Sequence, residues 1–253
     1  MIPYVKIPPL SVGFIKVDPF IVCVGIGVVV AFYSVLDRAK KAGLDTKIMY
    51  RMAIWIILCG FFSAHLFSML LDFPGRLFEK PWEILFIWAP MSSMGGFLGA
   101  ILVIYIFVRV YRIPLLSYSD ALIWGFIPGW IIGRLGCSLA HDHPGIPSTF
   151  ILSVQYPDGA RHDLGFYEFL FTLLVLWPLS LYIGKKLKTQ GLLTSIIALC
   201  YLPVRFSLDF LRASDDIPGG NLRYGSLTTA QWVCIPLFVV TIVLLMRIVR
   251  QRR

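Results

Sequence analysis

The chain has 253 residues, of which 58% are hydrophobic and only 15% charged, and its mean hydropathy is +0.79. Soluble domains run about 45–50% apolar, so this composition excludes an ordinary water-soluble globule. The net charge of +9 does not call for a nucleic-acid partner, because cytoplasmic loops of membrane proteins carry an excess of Lys and Arg.

Apolar segments long enough to cross the roughly 30 Å hydrocarbon layer recur from end to end. The expected fold is an all-α polytopic membrane protein, a single domain over residues 1–253 with about seven transmembrane helices. In chain order, residues 1–16 hold Pro3, Pro8, Pro9 and Gly13 and read as an arm outside the spans. The first span is expected at residues 17–36, retained because no small-residue cleavage site follows it. A basic loop leads to a second span at 48–71, which contains His65. The third, at 84–108, carries APMSSMGGFLGA, and the Pro, Ser and paired Gly predict a break facing a cavity. The fourth is placed at 119–139. A long polar loop of about residues 140–164 follows, in which SVQYPDGARH reads as a short strand or hairpin. Spans at 166–184, 192–211 and 229–247 complete the chain.

With seven spans, fourteen Lys and Arg fall on one side and six on the other, while Arg134, Arg205 and Arg212 lie within spans. The bias predicts a cytoplasmic C-terminus and an external N-terminus. The five cysteines all lie in or beside apolar segments without metal-ligand spacing, so neither a disulfide framework nor a metal site is expected.

Four stretches carry chemistry. GRLGCSLAHDHPG, from Gly133 to Gly145, closes the fourth span. An arginine there costs roughly 2.5–3.5 kcal/mol to insert and reads first as a functional residue; the plainer alternative is an anchor snorkelling to the headgroups. In YLPVRFSLDFLR, the i, i+4, i+7 spacing puts Arg205, Asp209 and Arg212 on one helix face. They form either a structural ion pair or a guanidinium oriented for an anion. Two spans that each bring an arginine suggest phosphate, which guanidinium grips with paired donors. RHDLGFYE opens the fifth span with His162, Tyr167 and Glu168. Glu168 is expected to find a basic partner, and Asp163 to cap the helix. MSSMGG, with Gly95 and Gly96, suits close helix approach.

These stretches, in this order and together with GSLTTAQW before the last span, resemble the prolipoprotein diacylglyceryl transferase family over most of the chain. The resemblance implies a multi-pass enzyme of the bacterial inner membrane whose site faces the periplasm, as does the 140–164 loop. It implies transfer of the diacylglyceryl group of phosphatidylglycerol to the lipobox cysteine of a lipoprotein precursor signal peptide, with glycerol phosphate leaving. Phosphatidylglycerol, the precursor and membrane lipids are the implied partners, with no nucleic acid, metal or nucleotide cofactor. Arg134 and Arg205 take the essential arginine positions. Asp142, Gly145, His162, Tyr167, Glu168, Asp209, Arg212, Gly95, Gly96 and Cys137 fall at substrate-binding positions.

This chain departs from the family pattern at three places. A family His, proposed as base, is replaced by Met94, a family Asn by Cys137, and a family Tyr by Phe20. His141 and His65 are the first candidates for a replacement base, followed by His162. A non-catalytic lipid- or lipopeptide-binding paralogue is the alternative from a different class. A transporter is a third reading, disfavoured because no inverted repeat pairs two broken helices.

Overall fold

A computed structural model of the chain describes residues 1–5, 7–12, 15–85, 91–186, 189–214 and 220–251. Seven helices among them are long and apolar enough to cross a membrane: Pro19–Lys41, Thr46–Asp72, Ser93–Tyr111, Leu115–Ala140, Leu164–Lys185, Leu192–Leu211 and Thr229–Arg250. The protein is a multi-pass membrane protein. Its surface is inverted relative to a soluble fold: Ile21, Leu58, Leu102, Leu174 and Val240 point outward, whereas Arg134, Glu168, Arg205 and Asp209 are buried. That is the arrangement hydrocarbon solvent imposes.

Local chemistry sets the ends of these helices. In α1 (Pro19–Lys41), Asp18 accepts the Phe20 N–H at 2.8 Å and Pro19 occupies the first turn. Asp45 caps α2 (Thr46–Phe67), the second span, which continues through a π turn, Ser68–Asp72. A short α3 (Pro74–Glu79) and a 3-10 turn (Pro81–Leu85) follow. Next come α4 (Ser93–Tyr111) and α5 (Leu115–Ala140). The fifth span is α6 (Leu164–Phe171), a π turn and α7 (Trp177–Lys186). The sixth is α8 (Leu192–Leu208) with a final 3-10 turn, Asp209–Leu211, and the seventh is α9 (Thr229–Arg250). A reciprocal capping box between Thr228 and Gln231 starts α9.

Helix α5 is the axis of the bundle, packed against α1, α6 and α8, while α2 pairs with α4 and α8 with α9. The α1–α5 contact is backbone to backbone. A Cβ on Gly27 would lie 2.6 Å from the Gly129 carbonyl oxygen, so any side chain there forces the helices apart.

The polar segments meet at one end. Strand β1 (Ile2–Pro3) pairs in parallel with β5 (Val154–Tyr156). β5 forms a hairpin with β6 (Gly159–Asp163), and β6 also pairs with β4 (Pro144–Pro147). Further along the arm, β2 (Leu10–Val12) and β3 (Ile15–Val17) form a separate antiparallel pair, so of the expected arm only its first residues join the hairpin in the small sheet over the end of α5.

Two expectations change. The third span contains no break within residues 93–100: Ser93 begins a regular helix that runs through both glycines, while residues 86–90 lie outside the described set. A Cβ on Gly95 would sit 2.4 Å from Phe67 Cβ and 2.7 Å from the Ser63 carbonyl oxygen. Here small residues serve the approach of α4 to α2, not a cavity. The sixth span also stops being α-helical at Leu208, so Asp209 and Arg212 lie in and after a tighter turn, and not on a continued helix face.

Candidate active site

Arg134 enters from α5, Arg205 from α8 and Glu168 from α6. The Glu168 carboxylate sits between the arginines: Oε2 is 2.6 Å from Arg134 Nη2 and Oε1 is 3.1 Å from Arg205 Nε. This is the basic partner that Glu168 was expected to find, doubled. Arg205 Nη1 also contacts Asp209 Oδ1, and Arg212 Nε donates to the same oxygen at 3.0 Å. Asp209 Oδ2 accepts the Thr228 hydroxyl, so the capping residue of α9 also holds this carboxylate. The anticipated Arg205–Asp209 pair is present, as one part of a larger cluster.

Three guanidiniums thus meet two carboxylates in direct contact, all of them buried. Such contacts are strong only because water is excluded, and removing one partner leaves a costly bare charge. Several donors and acceptors remain open. Among the described residues, Arg134 Nε, Arg205 Nε, both Glu168 oxygens and the Tyr201 hydroxyl lack an aligned hydrogen bond. The Glu168 contacts are therefore close charge pairs without hydrogen-bond alignment. Arg134 lies over the Trp130 ring, 4.4 Å from its centroid, and its Nη2 reaches Ser93 Oγ at 3.4 Å. An excess of guanidinium with unused donors is suited to receive a phosphate.

Around the cluster the chain is sewn together. Gly145 bridges to Arg212, and a Cβ there would lie 2.6 Å from the Leu211 carbonyl oxygen and 2.7 Å from His162 Cβ. Only glycine lets the loop after α5 lie against the end of the sixth span. Arg223, beyond it, donates to the Asp209 and Arg212 carbonyls at 3.2 Å each.

The histidines take different places. His141 ends α5 with φ 51, the left-handed region that is uncommon for a residue with a side chain. Its Nδ1 lies 2.6 Å from Asp163 Oδ2 and its ring stacks on Tyr4 at 4.4 Å. Asp163 caps α6 through the Phe166 N–H, as expected, and accepts the Tyr156 hydroxyl at 3.0 Å. Burial, and next the Asp163 charge, push the Tyr156 phenol up, so it stays a donor. His141 is thus the hub of a cap. His65, buried on α2, donates from Nε2 to the Glu83 carbonyl at 3.1 Å and is tied to the 3-10 turn. His162 Nδ1 lies 2.9 Å from the Tyr167 hydroxyl, and burial lowers its pKa. Asp142 lies beside His143, Oδ1 to Nδ1, at 2.7 Å. Burial raises its pKa, but the charge of His143 and those of Arg134 and Arg212 outweigh this and hold it below the usual carboxylate range. Met94 is fully buried at the head of α4, in the core with Ile127 and Tyr201.

Sequence reading passed over Asp72. It is buried at the π turn that closes the second span and accepts the Thr229 hydroxyl, joining that span to α9. A carboxylate ending an apolar run just before Pro74 was the available signal. π turns recur at functional positions, and a second one, Thr172–Leu176, begins one turn after Glu168, where Thr172 Oγ1 donates to the Glu168 carbonyl at 2.7 Å.

Seven apolar helices around a buried arginine–carboxylate cluster define a multi-pass membrane protein with a charged interior. The family model described as Prolipoprotein diacylglyceryl transferase matches residues 9–247, and the chain belongs to that family. Proteins named phosphatidylglycerol–prolipoprotein diacylglyceryl transferase are similar to it along most of their length. That of Bordetella avium (strain 197N) is 29% identical over 215 residues, covering 83% of this chain and 80% of its own. That of Chromohalobacter salexigens is 26% identical over 256 residues, covering 96% and 93%. That of Marinomonas sp. (strain MWYL1) is 29% identical over 254 residues, covering 95% and 92%.

Proposed function

We propose that this protein is a phosphatidylglycerol–prolipoprotein diacylglyceryl transferase of the bacterial inner membrane, with its N-terminus and the 140–164 sheet on the periplasmic side. The observation that carries this reading is the convergence of Arg134 and Arg205 on Glu168 from separate helices. Family membership and the charge bias of the loops support it.

The reaction is a displacement at carbon. The thiol sulfur of the lipobox cysteine bonds to the glyceryl carbon that bears the phosphate. The C–O bond breaks, and glycerol phosphate leaves with the electron pair. The thiol proton goes to water. Charge gathers on the departing phosphate as the bond breaks. Arginines buried and fixed beforehand stabilise that charge with little reorganisation. Glu168 and Asp209 hold the guanidiniums in place, and Arg134 Nε keeps a donor for the lipid phosphate. Asp142, Gly145, His162, Tyr167, Arg212 and Cys137 frame the space at the end of α5 where the headgroup and the peptide meet. Gly95 and Gly96 act at one remove, by setting α4 and hence Ser93 beside Arg134. His141 and His65 act as positioning groups.

The purified full chain, given phosphatidylglycerol vesicles and a lipobox peptide, is expected to release glycerol phosphate and to raise the peptide mass by one diacylglyceryl group. Met94, which cannot take a proton, favours a second reading as a lipid-binding paralogue. Tight phosphatidylglycerol binding with no glycerol phosphate release establishes that reading and overturns the transferase.

A further inference from the structure

The end of α5 carries a second set of reactive side chains. Cys137 is in its last turn, and the Cys137 carbonyl accepts the His141 N–H at 3.0 Å. The left-handed backbone of His141 then reverses the chain, so that Asp142 and His143 fold back over Cys137. The turn is pinned from outside. The His143 carbonyl accepts the Leu164 N–H at 3.0 Å, and Pro144 pairs with Asp163. Gly165 lets α6 close on Cys137, where an added Cβ would lie 3.1 Å from Cys137 Cβ. As a result one thiol sulfur, one carboxylate oxygen and one imidazole nitrogen lie within 4.8 Å of one another. Asp142 Oδ1 and His143 Nδ1 are shielded from solvent and face each other at 2.7 Å, a close charge pair beside the Cys137 sulfur.

We infer that Cys137, Asp142 and His143 bind a divalent zinc-type cation, which activates the incoming cysteine thiol. The donor set is right for that ion: thiolate, imidazole and carboxylate are its three common ligands, whereas calcium and magnesium take oxygen. Tetrahedral bonds of about 2.0–2.3 Å place such donors roughly 3.3–3.6 Å apart, so side-chain adjustments of about 1 Å close the site. Charge also balances. With one thiolate and one carboxylate the loaded site sums to zero charge, and it lies beside Arg134, whose Nη1 is 4.0 Å from Cys137 Sγ. That guanidinium becomes an outer partner of the metal-bound sulfur. An expectation built on spacing between cysteines passes over such a site, because only one of its ligands is a cysteine.

Three protein ligands leave a fourth position open, as in metal sites that do chemistry. The role of that position rests on the transferase reading. A free thiol, with a pKa of about 8.5, is mostly protonated at neutral pH, and Met94 offers no base. A thiol that coordinates a cation loses its proton outright. The lipobox sulfur enters as a thiolate and its proton goes to water. Sulfur bonds to the glyceryl carbon, and glycerol phosphate departs with the C–O electron pair into the grip of Arg134 and Arg205. No oxidant or reductant is involved.

The test uses the full chain, purified in detergent with an affinity tag free of histidine. Metal content is measured before and after chelation, and zinc or cobalt is titrated back. About one zinc per chain is expected. The cobalt form should show thiolate-to-metal charge-transfer absorption in the near ultraviolet, which changes when a lipobox peptide is added. Cys137→Ser and His143→Ala should weaken zinc binding at least 100-fold. Cys137→Asn, close in size and polar, is the second variant should Cys137→Ser fail to fold, and the wild-type cobalt spectrum depends on no variant. Wild-type protein that binds no zinc at micromolar levels, or variants that bind it as tightly as wild type, overturn the site. If the chelated protein transfers the lipid undiminished, the cation's role falls while the transferase reading stands. If zinc binds through these residues but glycerol phosphate never appears, the site stands and the transferase reading falls.

Discussion

Two polar clusters sit on α5, two helical turns apart, and they treat burial in opposite ways. In the cap, capacity is used up: Asp163 Oδ1 takes the Phe166 N–H, and Oδ2 meets both His141 and Tyr156. In the charged cluster, capacity is left over: Arg134 Nε, Arg205 Nε and the Tyr201 hydroxyl have no aligned partner among the described residues. Buried polar groups are normally satisfied, so those left open need a reason. The satisfied cluster reads as scaffold and the open one as the place where a ligand's oxygens complete the bonding.

Emptying the open cluster is the harshest test of this contrast. Arg134→Ala and Arg205→Ala should each lower glycerol phosphate release by about 10²–10³-fold, the usual loss when one donor to a developing anion is removed. Lysine at either position should restore little, since a point charge lacks the paired donors of guanidinium. Full turnover in Arg134→Ala would reduce the cluster to packing. Next in size is Glu168→Gln, which leaves two guanidiniums facing each other. Breaking a buried pair costs about 3–5 kcal/mol, to be seen as a lower unfolding midpoint in detergent. An unchanged midpoint would mean that water reaches the pair.

Much of the charged cluster was legible because its parts are local. The i, i+4 spacing gave Arg205 and Asp209, the expense of a buried acid demanded a base for Glu168, and Asp163 three residues before the Phe166 N–H is a common cap. The cap was not legible as a unit. Tyr4 reaches His141 only because Ile2 pairs with Val154 across the chain, a register no local pattern encodes. Asp72 meets Thr229 for the same reason. The third-span stretch supported two readings, a break and a close helix approach, because Pro, Ser and Gly mark both a broken helix and a close-packed one. Only the position of Phe67 decides between them. The approach of His143 to Cys137 depends on the left-handed turn at His141, which a histidine rarely announces.

A smaller effect is expected from the cap. His141→Asn keeps the left-handed tendency, since asparagine tolerates that backbone, while it removes the ring from Tyr4 and Asp163. It should lower stability by about 1–3 kcal/mol, the cost of stranding a buried partner, and scale turnover down without changing the shape of its pH profile. If the variant instead deletes a limb near pH 6–7, His141 is the base and the satisfied cluster does chemistry after all.

The smallest effect concerns His162, at the seam where β6 meets Gly145. Burial lowers its folded pKa below the ordinary histidine value of 6.5, so the unfolded chain takes the proton more readily. Stability should be unaffected well above pH 6.5 and fall as the pH drops through that value toward the folded pKa. Asp142 cannot imitate this. Its folded pKa is held below the ordinary aspartate value of 3.8, so its contribution is fully present above that value and disappears only as the pH falls through the lower folded one. Over pH 5–8, therefore, His162→Gln should flatten the decline in unfolding midpoint, whereas Asp142→Asn should displace the whole curve and leave its slope alone. Were the slopes to respond the other way, the seam would be wet and its histidine free to titrate as it does in water.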